Sequence, residues 1–396
     1  MKKKEIFIYT LMMFLLSLAT VQVVYGAMTG KSIMQITSII RHTPKLARVQ
    51  PTANCSNQPQ IADLLKSTDP HLRKLGEYQV VCSSKVTDTV MIFTNMPKDS
   101  VVAKQNADVM ATQLKEFARY DIKPIVVVEP VTDWGLIDFQ EFRGGFYDGW
   151  IKDYFDELKA QGLTDEQMGT WVPFPEANLP YWNHQNATPE DYAQVVNIYL
   201  RTLKTDFPLA HGSILLNSAT YANDDFDWRS GEYISLTPYL TGIQTGLVDS
   251  LGIQGFPWSP PATTPGPGVF DAAEYVNPEL AIEAAETLGV KNIWLNTGSF
   301  SRKYTLDSQN MVIFSADKRK DVLNGIVAEA MKLRDKGYNV SINLFAEDKS
   351  ATDEATDWSY WHTQTIATSP DAIVFANFAA RLNREHIGLS LFDQEH

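Results

Sequence analysis

The run Thr170-Trp171-Val172-Pro173-Phe174-Pro175-Glu176 ends a short apolar stretch on a carboxylate, and Asn178, Tyr181 and Trp182 follow at once. An acid at a strand end, an amide two residues on and two flat rings nearby suit protonation of a sugar leaving group and stacking on pyranose faces. The plainer reading is a strand-to-loop junction with a Pro-rich turn and core aromatics. Other strand ends carry similar equipment: Asn95, Glu129, Asn217, Gln254 with Trp258, Asn296, and Glu347 with Asp348. Glycoside hydrolysis needs two carboxyl groups, one protonated and one acting as nucleophile or base. Glu176 is the general acid/base candidate, oriented by Asn178, and Glu129 and Glu347 compete for the second role. The flanking prolines and aromatics are expected to desolvate Glu176 and keep it protonated. Asn178, Asn217, Gln254 and Asn296 can each donate to and accept from a hydroxyl. Tyr181, Trp182 and Trp258 are candidate stacking surfaces, with Trp134 and Trp361 beside them.

Strand–helix alternation positions these groups. Short apolar strands are expected at 89–94, 124–130, 169–176, 212–218, 250–256, 291–297 and 340–346, the β-branched run Ile125-Val126-Val127-Val128 suiting a strand buried on both faces. Helices are expected near 102–120, 150–158, 189–205 (capped by Thr188), 274–289, from Ser315 to Lys336, and 370–384. The eighth strand is sought in the weakly patterned region 30–88. The pattern predicts an α/β fold, a (β/α)8 barrel whose site lies at the carboxyl ends of its strands. A doubly wound open sheet is the alternative, but no Gly-rich nucleotide loop follows an early strand.

The amino terminus has three lysines, an apolar run from Ile6 to Ala19, and small residues around Val24 and Gly26. This reads as a secretory signal over residues 1–26, followed by a segment over 27–88 and a barrel over 89–396. Its removal takes three lysines and one glutamate, moving the formal net charge from −13 to −15. An acidic chain without a basic cluster argues against nucleic acid and anionic membrane as partners. No membrane contact is expected beyond the export signal, and the mature protein is expected to be secreted, periplasmic or at the cell surface. Cys55 and Cys82 are the two cysteines, and an exported even pair reads as a disulfide worth about 2–4 kcal/mol. No HExxH, CxxC or Gly-x-Ser-x-Gly motif occurs, so no metal or cofactor is expected.

The chain resembles the clan of (β/α)8 glycoside hydrolases, and most of all glycoside hydrolase family twenty-six, the mannanase and xylanase group. Glu176-Ala177-Asn178 with Tyr181 and Trp182 resembles that family's acid/base motif after its fourth strand. Segments 248–256 and 291–298 resemble its sixth and seventh strands. The resemblance implies a polysaccharide or oligosaccharide substrate. It also implies a nucleophilic glutamate on the seventh strand, where this chain has Asn296 or Thr297. The tyrosine expected to bond that nucleophile is matched by Phe256, and the histidine before the acid/base by Pro175. Three readings follow: a hydrolase with a relocated second carboxylate, a substrate-assisted hydrolase, or a carbohydrate-binding barrel without chemistry.

Overall fold

The computed structural model describes residues 59–82, 87–97, 99–132, 135–178, 188–218, 236–256, 276–299, 303–305, 311–313, 315–346, 348–349, 356–357, 359–360 and 369–392. Residues 1–58, Tyr181, Trp182, Trp258 and Glu347 lie outside them, as do Trp134 and Trp361. The expected signal and the Cys55 half of the expected disulfide therefore fall outside as well.

Eight parallel strands close into a barrel. They are β1 (Thr89–Asn95), β2 (Lys123–Glu129), β3 (Thr170–Pro173), β4 (His211–Asn217), β5 (Ser250–Gln254), β6 (Asn292–Gly298), β7 (Asn339–Phe345) and β8 (Gly388–Phe392). Each pairs with its neighbour in sequence, and β8 returns to β1 through Val90↔Leu391 and Met91↔Phe392. Closure excludes the open sheet.

It also corrects the strand count. The strand sought ahead of residue 89 lies at the other end of the chain, as β8. Glu176 therefore follows the third strand and Asn296 lies on the sixth, each one place earlier than the family resemblance implies. Among the described residues, two helices, α1 (Pro59–Leu64) and α2 (Pro70–Cys82), precede β1. Helix α2 packs beside the exit of β7: Tyr78 meets Phe375 edge-on at 4.6 Å, and its hydroxyl donates to the Ala346 carbonyl. The Thr87 hydroxyl reaches Leu389 O on β8.

Longer helices coat the outside: α3 (Ser100–Arg119), α4 (Asp148–Ala160), α5 (Pro189–Asp206), α6 (Pro278–Leu288), α7 (Ala316–Asp335) and α8 (Pro370–Arg384). Their starts are fixed by short polar side chains at the N-cap. Asp99 accepts from Val102 N, Thr188 and Asp191 form a reciprocal capping box, and Ser315 accepts from Lys318 N. Each cap sets where a helix leaves the loop that follows a strand, and so where that loop is tied down. A small antiparallel sheet (303–305, 311–313, 348–349, 356–357) joins the loop after β6 to the loop after β7. Among the described residues no helix is long and apolar enough to cross a membrane.

Inside the barrel, Met91, Ile125, Val127, Val172, Leu215, Trp294 and Phe345 form a core of their own. Trp294 is the largest of them. Its indole N–H donates to Ser213 Oγ at 2.9 Å, and Gly252 leaves the room it fills: a Cβ there would lie 2.4 Å from the ring. Side chains alternate along each strand, so the interior positions of β1, β2, β4, β5, β6 and β7 run upward to Asn95, Glu129, Asn217, Gln254, Asn296 and Asn343.

Candidate active site

Glu176 sits where the chain leaves β3, in an unusual backbone. Phe174 and Glu176 both have left-handed φ values, 55° and 56°, on either side of Pro175. A non-glycine residue in this region costs about 1–3 kcal/mol and persists only where the surroundings impose it. Here they do. Phe174 N–H donates to Val128 O on β2, and Glu176 N–H donates to Leu215 O on β4, both at 2.8 Å. The segment crosses from one neighbouring strand to the other, which turns the half-buried Glu176 side chain toward the barrel's axis and its amides.

Asn178 reinforces the crossing. Its Nδ2 donates to Asn217 O at 2.8 Å, and its Oδ1 accepts from Asn217 N at 3.0 Å. Both ends of this buried amide are used on the backbone of β4, so it pins the loop and holds Asn217. Orientation of Glu176 then falls to Asn217 itself, whose Nδ2 donates to Glu176 Oε1 at 3.2 Å. Asn178 acts at one remove and presents no amide face to a ligand in this conformation, contrary to the role expected of it.

Gln254 Nε2 donates to the same Oε1. Behind Gln254 stands a file of side chains on one level of the barrel, because Asn217, Gln254, Asn296, Asn343 and Ser390 are register partners across five adjacent strands. Strands spaced about 4.8 Å apart let short amides on one rung bond each other directly. Asn296 Nδ2 donates to Gln254 Oε1, Asn343 Nδ2 to Asn296 Oδ1, and the Ser390 hydroxyl to Asn343 Oδ1 at 2.8 Å. Asn343 Nδ2 also meets the Met91 sulfur at 3.4 Å. Asn296 and Asn343 are 0% exposed, so burying them requires this pairing.

Several expectations change. Asn296, expected to recognise hydroxyls, is sealed in the interior with both amide ends engaged. The Phe256 and Phe345 rings meet at 5.3 Å one layer above it, where Gly298 contributes no side chain. Phe256, read in sequence as a lost tyrosine, is part of that roof. The apolar surround expected for Glu176 is replaced at Oε1 by two amide donors, which stabilise negative charge. Asn343 and Ser390 were missed, although Ser341 and Asn343 alternate with apolar residues in a strand whose two faces are covered. Glu129 ends β2, next to β3, half-buried and on the interior side set by Ile125 and Val127. Asn217 and Gln254 are buried and committed to Glu176. No cluster of His, Cys, Asp or Glu fit for a metal occurs among the described residues.

No protein-family model matches the chain, and no curated protein matches it in sequence. Solved structures with a similar course include a β-glucosidase from Thermotoga maritima bound to deoxynojirimycin, at 12% identity over 86% of this chain and 90% of that one, with a TM-score of 0.47. An exo-β-1,4-mannosidase, Op5Man5 from Opitutaceae bacterium strain TAV5, is 13% identical over 80% of this chain and 57% of that one, with a TM-score of 0.48. An endo-β-1,4-mannanase from Thermotoga petrophila is 12% identical over 78% and 72%, with a TM-score of 0.42. These structural neighbours are glycoside hydrolases, and a likeness of this depth says nothing of the chemistry at the strand ends.

Proposed function

We propose that this chain is an exported glycoside hydrolase of (β/α)8 type that cleaves a glycosidic bond in a polysaccharide or oligosaccharide, with Glu176 as general acid/base. The observation that carries the reading is the convergence of the interior amides on one carboxylate at the mouth. Glu176 stands in a strained backbone that two neighbouring strands impose, and buried amides are spent on a single one of its oxygens. Nothing in the stability of a barrel calls for either feature. The Glu-x-Asn segment that follows β3 is also the part of the chain that most resembles family twenty-six.

The second carboxylate is assigned to Glu129. It rises on the interior side of β2, adjacent to the strand that delivers Glu176, so the two acids share one mouth. Asn95 beside Glu129 and the aromatics of the strand-following loops supply hydroxyl contacts and stacking. The basic, apolar and then small-residue amino terminus supports export.

A panel of mannan, xylan, β-glucan, chitin and peptidoglycan, incubated with wild type, Glu176→Gln and Glu129→Gln, tests the proposal. Hydrolysis by wild type that both variants lose supports it. NMR of the fresh product's anomer then reads retention for carboxyl groups about 5–5.5 Å apart and inversion for about 6.5–9.5 Å. A second reading has its own observation: the residue matched to the family's nucleophile is a fully buried amide. Glycan binding without hydrolysis by any of the three proteins would make this a carbohydrate-binding barrel.

A further inference from the structure

The amide file has a direction, and the direction follows from the groups at its ends. An ionised carboxylate only accepts, so Gln254 must turn its NH2 to Glu176 and its carbonyl away. That carbonyl needs a donor, so Asn296 must turn its NH2 to Gln254. The same logic turns Asn343 toward Asn296 and leaves the Asn343 carbonyl for a hydroxyl, which Ser390 supplies. At the far end the Met91 sulfur, a weak acceptor with no hydrogen to give, faces an N–H of Asn343. Both ends therefore demand the same orientation.

We propose that Gln254, Asn296, Asn343 and Ser390 are positioning residues that reserve Glu176 Oε1 as an acceptor, so that the proton Glu176 exchanges during the reaction is taken up and released at Oε2. This rests on the assignment of Glu176 as acid/base. A proton on Oε1 directed at Gln254 would require Gln254 to present its carbonyl there, and Asn296 and Asn343 to turn in step inside a packed interior, while Asn217 Nδ2 occupies the other approach to that oxygen. The last turn would aim the Asn343 carbonyl at the Met91 sulfur. The file ends on Oε1 and so constrains a proton there, which assigns the exchange to Oε2. Among the described residues on the interior faces of the strands, the other titratable groups are Glu129 at the mouth and Lys123 and His211 at the opposite end of the barrel. None of them belongs to the file.

The test follows Glu176 itself, by 13C NMR of full-length protein labelled at its glutamate carboxyls, the signal being identified by its loss in Glu176→Gln. In Asn343→Leu the file is cut two links from the carboxylate, and the Glu176 titration midpoint is expected to rise by about one pH unit. Ser390→Ala, a milder change, is expected to move it the same way by less. Thr297→Val is the control: this buried hydroxyl lies on the same strand as Asn296, faces the helices, and has no hydrogen-bond partner among the described residues. An unchanged midpoint in both file variants, or an equal shift in Thr297→Val, overturns the proposal. Because the readout is titration, a shift confined to the file variants supports it even if wild type hydrolyses nothing, in which case the hydrolase reading alone fails.

Discussion

Arg319 offers the sharpest test of what holds the mouth together. It lies in the first turn of α7 and is 0% exposed. One of its nitrogens donates to Asp371 Oδ1 at 2.8 Å and to Ser359 O at 2.9 Å, and its guanidinium lies 4.3 Å from the centre of the Tyr360 ring. Its own carbonyl accepts from Ser299, just past β6. One buried cation thus ties the exit of β6, the stretch before α8 and the start of α8 itself. In Arg319→Met the aliphatic part is kept and the charge removed, leaving Asp371 15% exposed and without its partner. Breaking a buried pair from one side costs about 3–5 kcal/mol, and the partial exposure of Asp371 places this case near 3–4. With an unfolding entropy of about 2.1 cal/mol/K per residue over the roughly 260 described residues, that is a fall of about 6–7 °C in Tm. Differential scanning calorimetry reads it. Arg319→Met with Asp371→Asn should recover part of the loss, since no lone charge then remains. The partly exposed Arg334, paired with Asp335 and Glu385, is the comparison, and Arg334→Met should move the transition less than Arg319→Met does. An Arg319→Met transition within about 1 °C of wild type would refute the argument.

Gly252→Ala pushes a methyl into the Trp294 ring and Leu215, and overpacking of this kind costs about 1–3 kcal/mol, read as a lower midpoint in urea with an unchanged slope. Burial opposes ionisation of Asp191, but the Thr188 N–H and hydroxyl and the Arg143 guanidinium outweigh it and hold its carboxyl below the usual carboxylate value. A depressed folded value stabilises above the unfolded value of about 3.9 and is lost as pH falls through the folded one. Asp191→Asn should therefore be less stable than wild type at neutral pH, with the two curves converging under acid conditions. Burial pushes the Tyr360 hydroxyl up to about 12, against the pull of Arg319, and raises Tyr154, Tyr192 and Tyr199 as well. Raised values stabilise fully below the unfolded tyrosine value of about 10 and are lost as pH rises through the folded ones. Unfolding followed by circular dichroism should thus set in above about pH 10, and ionisation of Tyr360, Tyr154, Tyr192 or Tyr199 in protein that is still folded at that pH would contradict it.

Most of the barrel was legible because its strands are buried on both faces and its helices on one. Continuous β-branched runs such as Ile125–Val128, and a proline and serine ahead of a periodic apolar face at 370–384, need no tertiary knowledge to be read. β8 escaped for the opposite reason. Gly388-Leu389-Ser390-Leu391-Phe392 is short, alternates, and begins with a glycine, so it looks like an exposed edge or a tail. Only closure against Met91 and Val90 makes it a strand of the barrel, and closure is a property of the whole circle. The short sheet above β6 and β7 is of the same kind, since each of its strands is too brief to show a period.

The site was legible as residue types but misplaced in depth. Amides at strand ends were read as a mouth facing solvent, yet in β5, β6 and β7 the amide is the fifth residue of its strand, level with its neighbours and beneath the aromatic layer. Position within a strand is visible in sequence, but the level it reaches in the barrel depends on register, which is set by pairing. This changes the meaning of Asn296. Beside the resemblance, it looks like a nucleophile that has been lost. In the file an amide serves there, because it gives a hydrogen to Gln254 and takes one from Asn343. A carboxylate at 296 could only accept: Gln254 would have to turn, and its carbonyl would then face Glu176. Asn296 and the charge on Glu176 are in this sense one choice. On the proposed hydrolase reading, a level filled with amides leaves the second carboxylate to be sought elsewhere at the mouth, where the interior side of β2 ends on Glu129.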